Sequence, residues 1–274
     1  MTISILFGGI SYEHEISIVS AISVSQKFGK NIQISNYIFL DSNHDFYLIE
    51  SQNMKSKYFS SLAYKQAKKI ELGNGGFYEV GFLGKKKLVY AGLILNLIHG
   101  GDGEDGVLSG LFDFYKIQYI GPRLEASILS YNKKLTKLYA KTECNVATLP
   151  YYIHRKHEEY NIPFSLPYII KPTCLGSSIG VCVVDDESKI EYGLDCAFEF
   201  SDEVIIEPFI KGVKEYNLAG AKVNGEFIFS IIEEPVKKDL LGFDDKYLDF
   251  SRTSEVASAE ITESLATQLK NHIV

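Results

Sequence analysis

Residues 168–180, Tyr-Ile-Ile-Lys-Pro-Thr-Cys-Leu-Gly-Ser-Ser-Ile-Gly, end an apolar run on a lysine and pass straight into a loop of glycine and serine. Those residue types suit a phosphate. Gly176 and Gly180 let the backbone approach an anion, the hydroxyls of Ser177 and Ser178 can donate to its oxygens, and Lys171 adds fixed positive charge. The lysine precedes the glycines and no Gly-Lys-Ser/Thr opens a helix, so this is not a Walker A loop. Taken alone, the same residues read equally well as a Gly/Ser hairpin turn.

Two further clusters fall where an α/β sheet presents its ligands, just past strand ends. Residues 8–17, Gly-Gly-Ile-Ser-Tyr-Glu-His-Glu-Ile-Ser, put carboxylates at a helix start, where they suit either an ammonium ligand or simply the helix dipole. Residues 99–106, His-Gly-Gly-Asp-Gly-Glu-Asp-Gly, carry more glycine and acid than a plain strand-to-helix connection needs. His14 and His99 lack the spacing of a metal site, and neither Ser177 nor a cysteine sits in a nucleophile elbow. Lys133-Lys134 reads as a solvated pair unless something aims one of them inward.

These clusters need elements to position them. Residues 3–7 form an apolar strand broken by Gly8-Gly9, after which Ile18, Ala21, Ile22 and Phe28 recur at helical spacing. Runs at 37–40 and 93–98 predict buried strands of a mostly parallel sheet, and residues 107–115 predict another helix. A Rossmann-like first module over residues 1–122 follows, closing at Gly121-Pro122. A small α+β module is expected over 123–207, with helix around 128–139 and strands at 168–171 and 181–184 flanking the glycine loop. The third module, 208–274, holds strand-like stretches joined by Asn224-Gly225 as a hairpin turn. It also holds a polar stretch at 234–252 that reads as a lid loop, and a final helix near 261–273.

Composition narrows the partners. The chain has 274 residues, 46% hydrophobic and 23% charged, with a net charge of -7 and no long basic cluster, which argues against nucleic acid and for small ligands. Four cysteines without zinc or redox-pair spacing read as reduced thiols. With no signal-peptide pattern and no stretch apolar enough to span a bilayer, the expected place is the cytoplasm.

With its clusters in order, the chain resembles the D-alanine-D-alanine ligases of the ATP-grasp superfamily. The matching stretches are residues 6–17, 99–106, Tyr-Ile-Gly-Pro at 119–122, Ala-Ser-Ile-Leu-Ser-Tyr-Asn-Lys from 126, the loop from 169, Val-Ile-Ile-Glu-Pro-Phe-Ile from 204 and Lys-Tyr-Leu from 246. The resemblance implies an α/β ATP-grasp fold with a small lid domain and a partial C-terminal domain. It implies a ligase that phosphorylates one D-alanine to an acyl phosphate, lets the amine of a second attack, and supplies a cell-wall dipeptide. Positive charge and backbone donors must then neutralise the phosphoryl group in flight.

Roles follow by the same resemblance. Glu13 and Ser17 belong to the first D-alanine's site, Glu13 anchoring its ammonium, and His99 lies near its carboxylate. Lys133 and Lys171 contact phosphate, and Ser177 and Ser178 belong to the closing loop. Glu207 and Ile210 pair with adenine beside Phe209, and Glu215 takes the ribose. Lys246 and Tyr247 sit on the lid, where tyrosine rather than phenylalanine favours an amine as second substrate. The family works with ATP and Mg2+ and is commonly a homodimer. Its magnesium-binding element lies past the position matching Val274, so no metal ligand is expected within 1–274, and phosphoryl transfer by these residues alone is expected to be lost or severely slowed. Two alternatives remain: a non-catalytic nucleotide- or amino-acid-binding remnant, and another ATP-grasp carboxylate-amine ligase. A Rossmann oxidoreductase is set aside because the opening turn lacks Gly-x-Gly-x-x-Gly.

Overall fold

The computed structural model describes residues 2–28, 32–90, 92–235 and 258–272. The chain divides into two compact units, Met1–Thr136 with Cys174–Gly176, and Lys137–Thr173 with Ser177–Val274.

The first unit is built on an eight-stranded sheet. Its strands are β1 (Thr2–Gly8), β2 (Gln33–Leu40), β3 (Phe46–Ile49), β4 (Lys68–Gly73), β5 (Gly76–Val80), β6 (Lys86–Tyr90), β7 (Leu93–Asn96) and β8 (Tyr119–Ile120), in the order β6-β5-β4-β3-β2-β1-β7-β8. β1 is buried from Ile3 to Gly8 and mostly apolar because it lies between neighbours with both faces covered. Phe7 and Ile5 face a core with Ile18 and Ala21 of helix α1 (His14–Phe28), and with Phe39 and Phe59. Leu6 faces the opposite core, with Ile94, Ile98 and the Leu108–Phe112 pair. That pair comes from helix α3 (Val107–Phe114), which follows the short α2 (Ser56–Ser60) in the chain. Period-two alternation along one strand thus feeds two cores.

The sheet is less parallel than its sequence predicts. β1 pairs in parallel with β2 and β7, and β7 with β8, but β2 to β6 form an antiparallel meander. The short connections β2–β3, β4–β5 and β5–β6 permit only antiparallel neighbours, whereas β3 and β4 pair antiparallel across the longer connection 50–67 that carries α2. The turn between β2 and β3 is closed by Asp41, whose Oδ1 accepts from the amides of Asn43 and Asp45 at 2.8 and 3.0 Å. β6 forms one margin of the sheet, with Lys86 and Lys87 exposed, and the two-residue β8 forms the other.

Helices α4 (Leu124–Tyr131) and α5 (Lys133–Thr142) follow, separated by Asn132, whose Oδ1 accepts from the amides of Lys134 and Leu135. The second unit carries a four-stranded antiparallel sheet, β11-β10-β12-β9, from β9 (Tyr152–Arg155), β10 (Tyr168–Pro172), β11 (Cys182–Val184) and β12 (Glu203–Pro208). Helix α6 (Ile190–Phe198) packs on the face made by Tyr168, Ile170, Val204 and Ile206. The register sets Ile169 opposite Glu207 and Lys171 opposite Ile205, so these four residues share the other face. Strands β13 (Gly220–Val223) and β14 (Glu226–Phe229) form the expected hairpin, with Asn224 and Gly225 at φ +52° and +90°. A last helix covers Glu263–Asn271, with the Thr262 hydroxyl accepting from the Leu265 amide. No helix among the described residues is long and apolar enough to cross a membrane.

Candidate active site

In the first unit the clusters that follow β1 and β7 meet. The Ser11 hydroxyl donates to the carbonyl of His99 at 2.6 Å and accepts from the amide of Glu13 at 3.1 Å, so one side chain ties the two loops together. Glu13 lies just ahead of α1 and is 5% exposed. Its carboxylate is fitted closely against backbone. A Cβ on Gly100 would stand 2.7 Å from Glu13 Oε2, and one on Gly176 would stand 3.4 Å from the same oxygen. Gly100 also has φ +66°, so glycine is required there for both shape and space.

Ser17 lies inside the first unit. Its side chain is fully buried, its hydroxyl donating to the Leu97 carbonyl at 2.7 Å and accepting from the Gly8 amide at 2.8 Å. Through these two bonds Ser17 clamps α1 to the ends of β1 and β7. His99 keeps part of its ring open, its Nε2 lying 3.1 Å from Ser20 Oγ and its Nδ1 4.0 Å from Glu104. His14 is structural: its Nδ1 meets the Gly9 carbonyl at 2.7 Å and its ring packs on Phe39.

Beside these loops is a cleft of about 520 Å³ lined by residues 96–99, Gly103, Glu104, Pro122, Ser130, Tyr131, Lys133, Leu175 and Gly176. Lys133 is the inward-aimed member of its pair, donating from Nζ to the Leu175 carbonyl at 2.5 Å. Asn132 holds the same loop through a hydrogen bond from Nδ2 to Cys174 Sγ at 3.3 Å. Tyr131 went unmarked in the sequence, although it lies inside a matched motif. Burial pushes its phenol above the usual range, against the opposing effect of the Gly101 amide that donates to it.

In the second unit, the loop after β10 departs from ordinary backbone. Ser177 and Ser178 sit at φ +53° and +60° and Gly180 at +67°. Left-handed conformations at two successive serines carry a cost, and such strain collects where a ligand is clamped. At the start of that loop Lys171 reaches across to Glu207, Nζ to Oε2, at 2.7 Å. The other oxygen of Glu207 is held by Lys137, which the sequence reading did not single out. Its only sequence signal is a position one turn beyond Lys133 on α5. Burial acts to raise the Glu207 carboxyl, but its hydrogen bonds to Lys137 and Lys171 outweigh that and hold it below the usual range.

Phe209 follows β12 with its amide bonded to the Pro167 carbonyl at 3.0 Å, and Ile210 is about half exposed. Glu215 lies further along the same connection, on the surface. Lys246 and Tyr247 lie outside the described residues. The cations and hydroxyls of this unit fit a nucleotide's phosphates by donor type. Among the described residues, no group of three or more His, Cys, Asp or Glu converges as a metal site.

Residues 2–122 match the model of the D-ala D-ala ligase N-terminus and residues 146–274 that of the C-terminus. The chain belongs to the D-alanine-D-alanine ligase family. A D-alanine-D-alanine ligase of Nitratiruptor sp. is 54% identical over 271 residues, covering 99% of this chain and 77% of that protein. One from Wolinella succinogenes is 51% identical over 274 residues, covering 100% of this chain and 78% of its own length. The crystal structure of the Helicobacter pylori D-alanine-D-alanine ligase superposes with a TM-score of 0.87 at 47% identity, covering all of this chain and 81% of that one. The ATP-grasp architecture implied by the motifs is therefore that of the family.

Proposed function

We propose that this chain acts in the ATP-dependent joining of two D-alanines. The observation that carries the reading is the Glu13 carboxylate, buried against Gly100 and next to the His99 loop, where an amino acid's ammonium would find one fixed negative partner. Glu13 holds the ammonium of the first D-alanine and His99 attends its carboxylate. Lys133, Lys171, Ser177 and Ser178 serve the phosphates, and Glu207, Phe209, Ile210 and Glu215 serve the base and ribose. ATP, when bound, supplies the phosphoryl group that turns the first substrate's carboxylate into a better electrophile.

The protein's own part is placement. A carboxylate oxygen of the first D-alanine must meet phosphorus in line, and lysines and hydroxyls must balance the charge that spreads over the phosphoryl oxygens. The amine of the second D-alanine then attacks the acyl phosphate, phosphate leaves, and the amine gives up a proton. Lys246 and Tyr247 are assigned to the lid by resemblance, Tyr247 directing selection of an amine. A homodimer in the cytoplasm, arranged in modules 1–122, 123–207 and 208–274, completes the proposal.

The test is D-alanine-dependent phosphate release in the presence of ATP and Mg2+, alongside nucleotide binding. Glu13→Gln is expected to weaken D-alanine about 100-fold with ATP affinity retained. Unchanged D-alanine affinity in that variant rejects the assignment of Glu13. Intact nucleotide binding with no turnover in the parent favours instead a binding remnant.

A further inference from the structure

Glu207 is flanked by one lysine that the proposed function uses and one that it does not. The carboxylate is 4% exposed, with Lys171 on Oε2 at 2.7 Å and Lys137 on Oε1. Two cations around one buried anion exceed what pairing requires. The surplus matters once Lys171 is asked to turn toward a phosphate. A buried carboxylate left without a partner is strongly unfavourable, so a lone Lys171 would be held back by the very group beside it.

The two lysines are not equivalent. Lys137 Nζ also donates to the Leu149 carbonyl at 3.2 Å and lies 5.8 Å from the Tyr151 ring centroid, and its side chain is 18% exposed. Lys171, at 26%, is the more accessible and adjoins the strained serine loop. The remaining charges on that face of the sheet are Arg155 of β9 and Glu203 of β12, which pair with each other at 3.2 Å. Glu191 and Asp195 belong to α6, on the opposite face.

We propose that Lys137 is a positioning residue, the standing counter-ion of Glu207 that keeps this carboxylate paired while Lys171 is released to a nucleotide's phosphates. The proposal rests on Lys171 being a phosphate contact. Lys137 itself need touch no nucleotide. Its removal makes nucleotide binding strand the Glu207 carboxylate, which answers by taking up a proton.

ATP affinity of the intact chain, measured calorimetrically at about pH 8 and about pH 6 in buffers of differing ionisation heat, tests this. Lys137→Gln is expected to weaken ATP about tenfold at the higher pH and less at the lower, with extra proton uptake relative to the parent. Lys137→Arg should bind within about threefold of the parent, because it restores the cation. In a Glu207→Gln background, Lys137→Gln should cost nothing further, since no anion remains to be stranded. Lys171→Ala provides the separating control.

If Lys171→Ala weakens ATP while Lys137→Gln matches the parent at both pH values, the role of Lys137 is wrong and that of Lys171 stands. If Lys171→Ala leaves ATP affinity unchanged, the phosphate reading falls and takes this inference with it. A loss in Lys137→Gln that is independent of pH, persists without the Glu207 carboxylate and is not rescued by arginine marks a merely structural lysine and overturns the proposal.

Discussion

Both units bury a glutamate, and they do it by opposite means. Glu13 is fixed by closeness of backbone, with Gly100 and Gly176 against its oxygens and the Ser11 hydroxyl stitching its loop to that of His99. Glu207 is fixed by charge, one ammonium to each oxygen, on a sheet face it shares with Ile169, Ile205 and Lys171. A carboxylate set among glycines keeps one fixed geometry. A carboxylate held by cations is ready to exchange them. The contrast explains why the first unit is rich in glycine at its strand ends and the second in lysine around one acid.

The comparison breaks most visibly at Gly100. An alanine there meets both a left-handed φ and a Cβ 2.7 Å from Glu13 Oε2. Displacing that oxygen by about 1 Å should lower D-alanine-dependent phosphate release about 100-fold while leaving ATP affinity intact. An active Gly100→Ala would show that Glu13 is not held by shape. Ser17→Ala comes next. It leaves the Gly8 amide and Leu97 carbonyl buried without their hydroxyl, and urea unfolding should register a loss of about 1–3 kcal/mol.

The smallest effect belongs to the second unit and sharpens its sensitivity to charge. His154 on β9 is buried among Tyr152, Tyr160 and Phe198, its Nδ1 has no hydrogen-bond partner among the described residues, and burial lowers its pKa. The unfolded chain therefore binds this proton more readily than the folded one. Stability is fully present above the unfolded value of about 6.5 and is lost as pH falls through the lower folded value. His154→Phe, which keeps the aromatic packing, should flatten the acid limb of a denaturation profile below about pH 6.5. An unchanged slope would show that the ring does not titrate with folding.

Much of this was legible in the residues. The opening strand and helix were marked by an apolar run, two glycines and helical periodicity, and β10 and β12 by near-continuous Ile and Val. Asn224-Gly225 marked its hairpin because the mirror-image turn needs two positive φ angles in succession. The meander β3 to β6 stayed hidden because its strands are short, and β4 and β6 each open on two lysines and alternate poorly. At the sites, resemblance to the family's motifs pointed to Glu13, His99 and Lys133, and the residue types of the glycine-serine loop to Lys171. Neither could reveal the bonds of Ser17 to Gly8 and Leu97, nor that Lys137 crosses to Glu207, because both depend on tertiary packing.

The margin formed by β6 has a bearing on how the molecule meets its own copies. A free strand edge offers unpaired amides and carbonyls to any passing strand, and this one carries Lys86 and Lys87, with Lys86 tethered to Glu71 at 2.9 Å. A second sheet docking there would have to strip water from those ammonium groups and bring like charges together. The meander that widens the first unit thus ends in its own guard against runaway stacking.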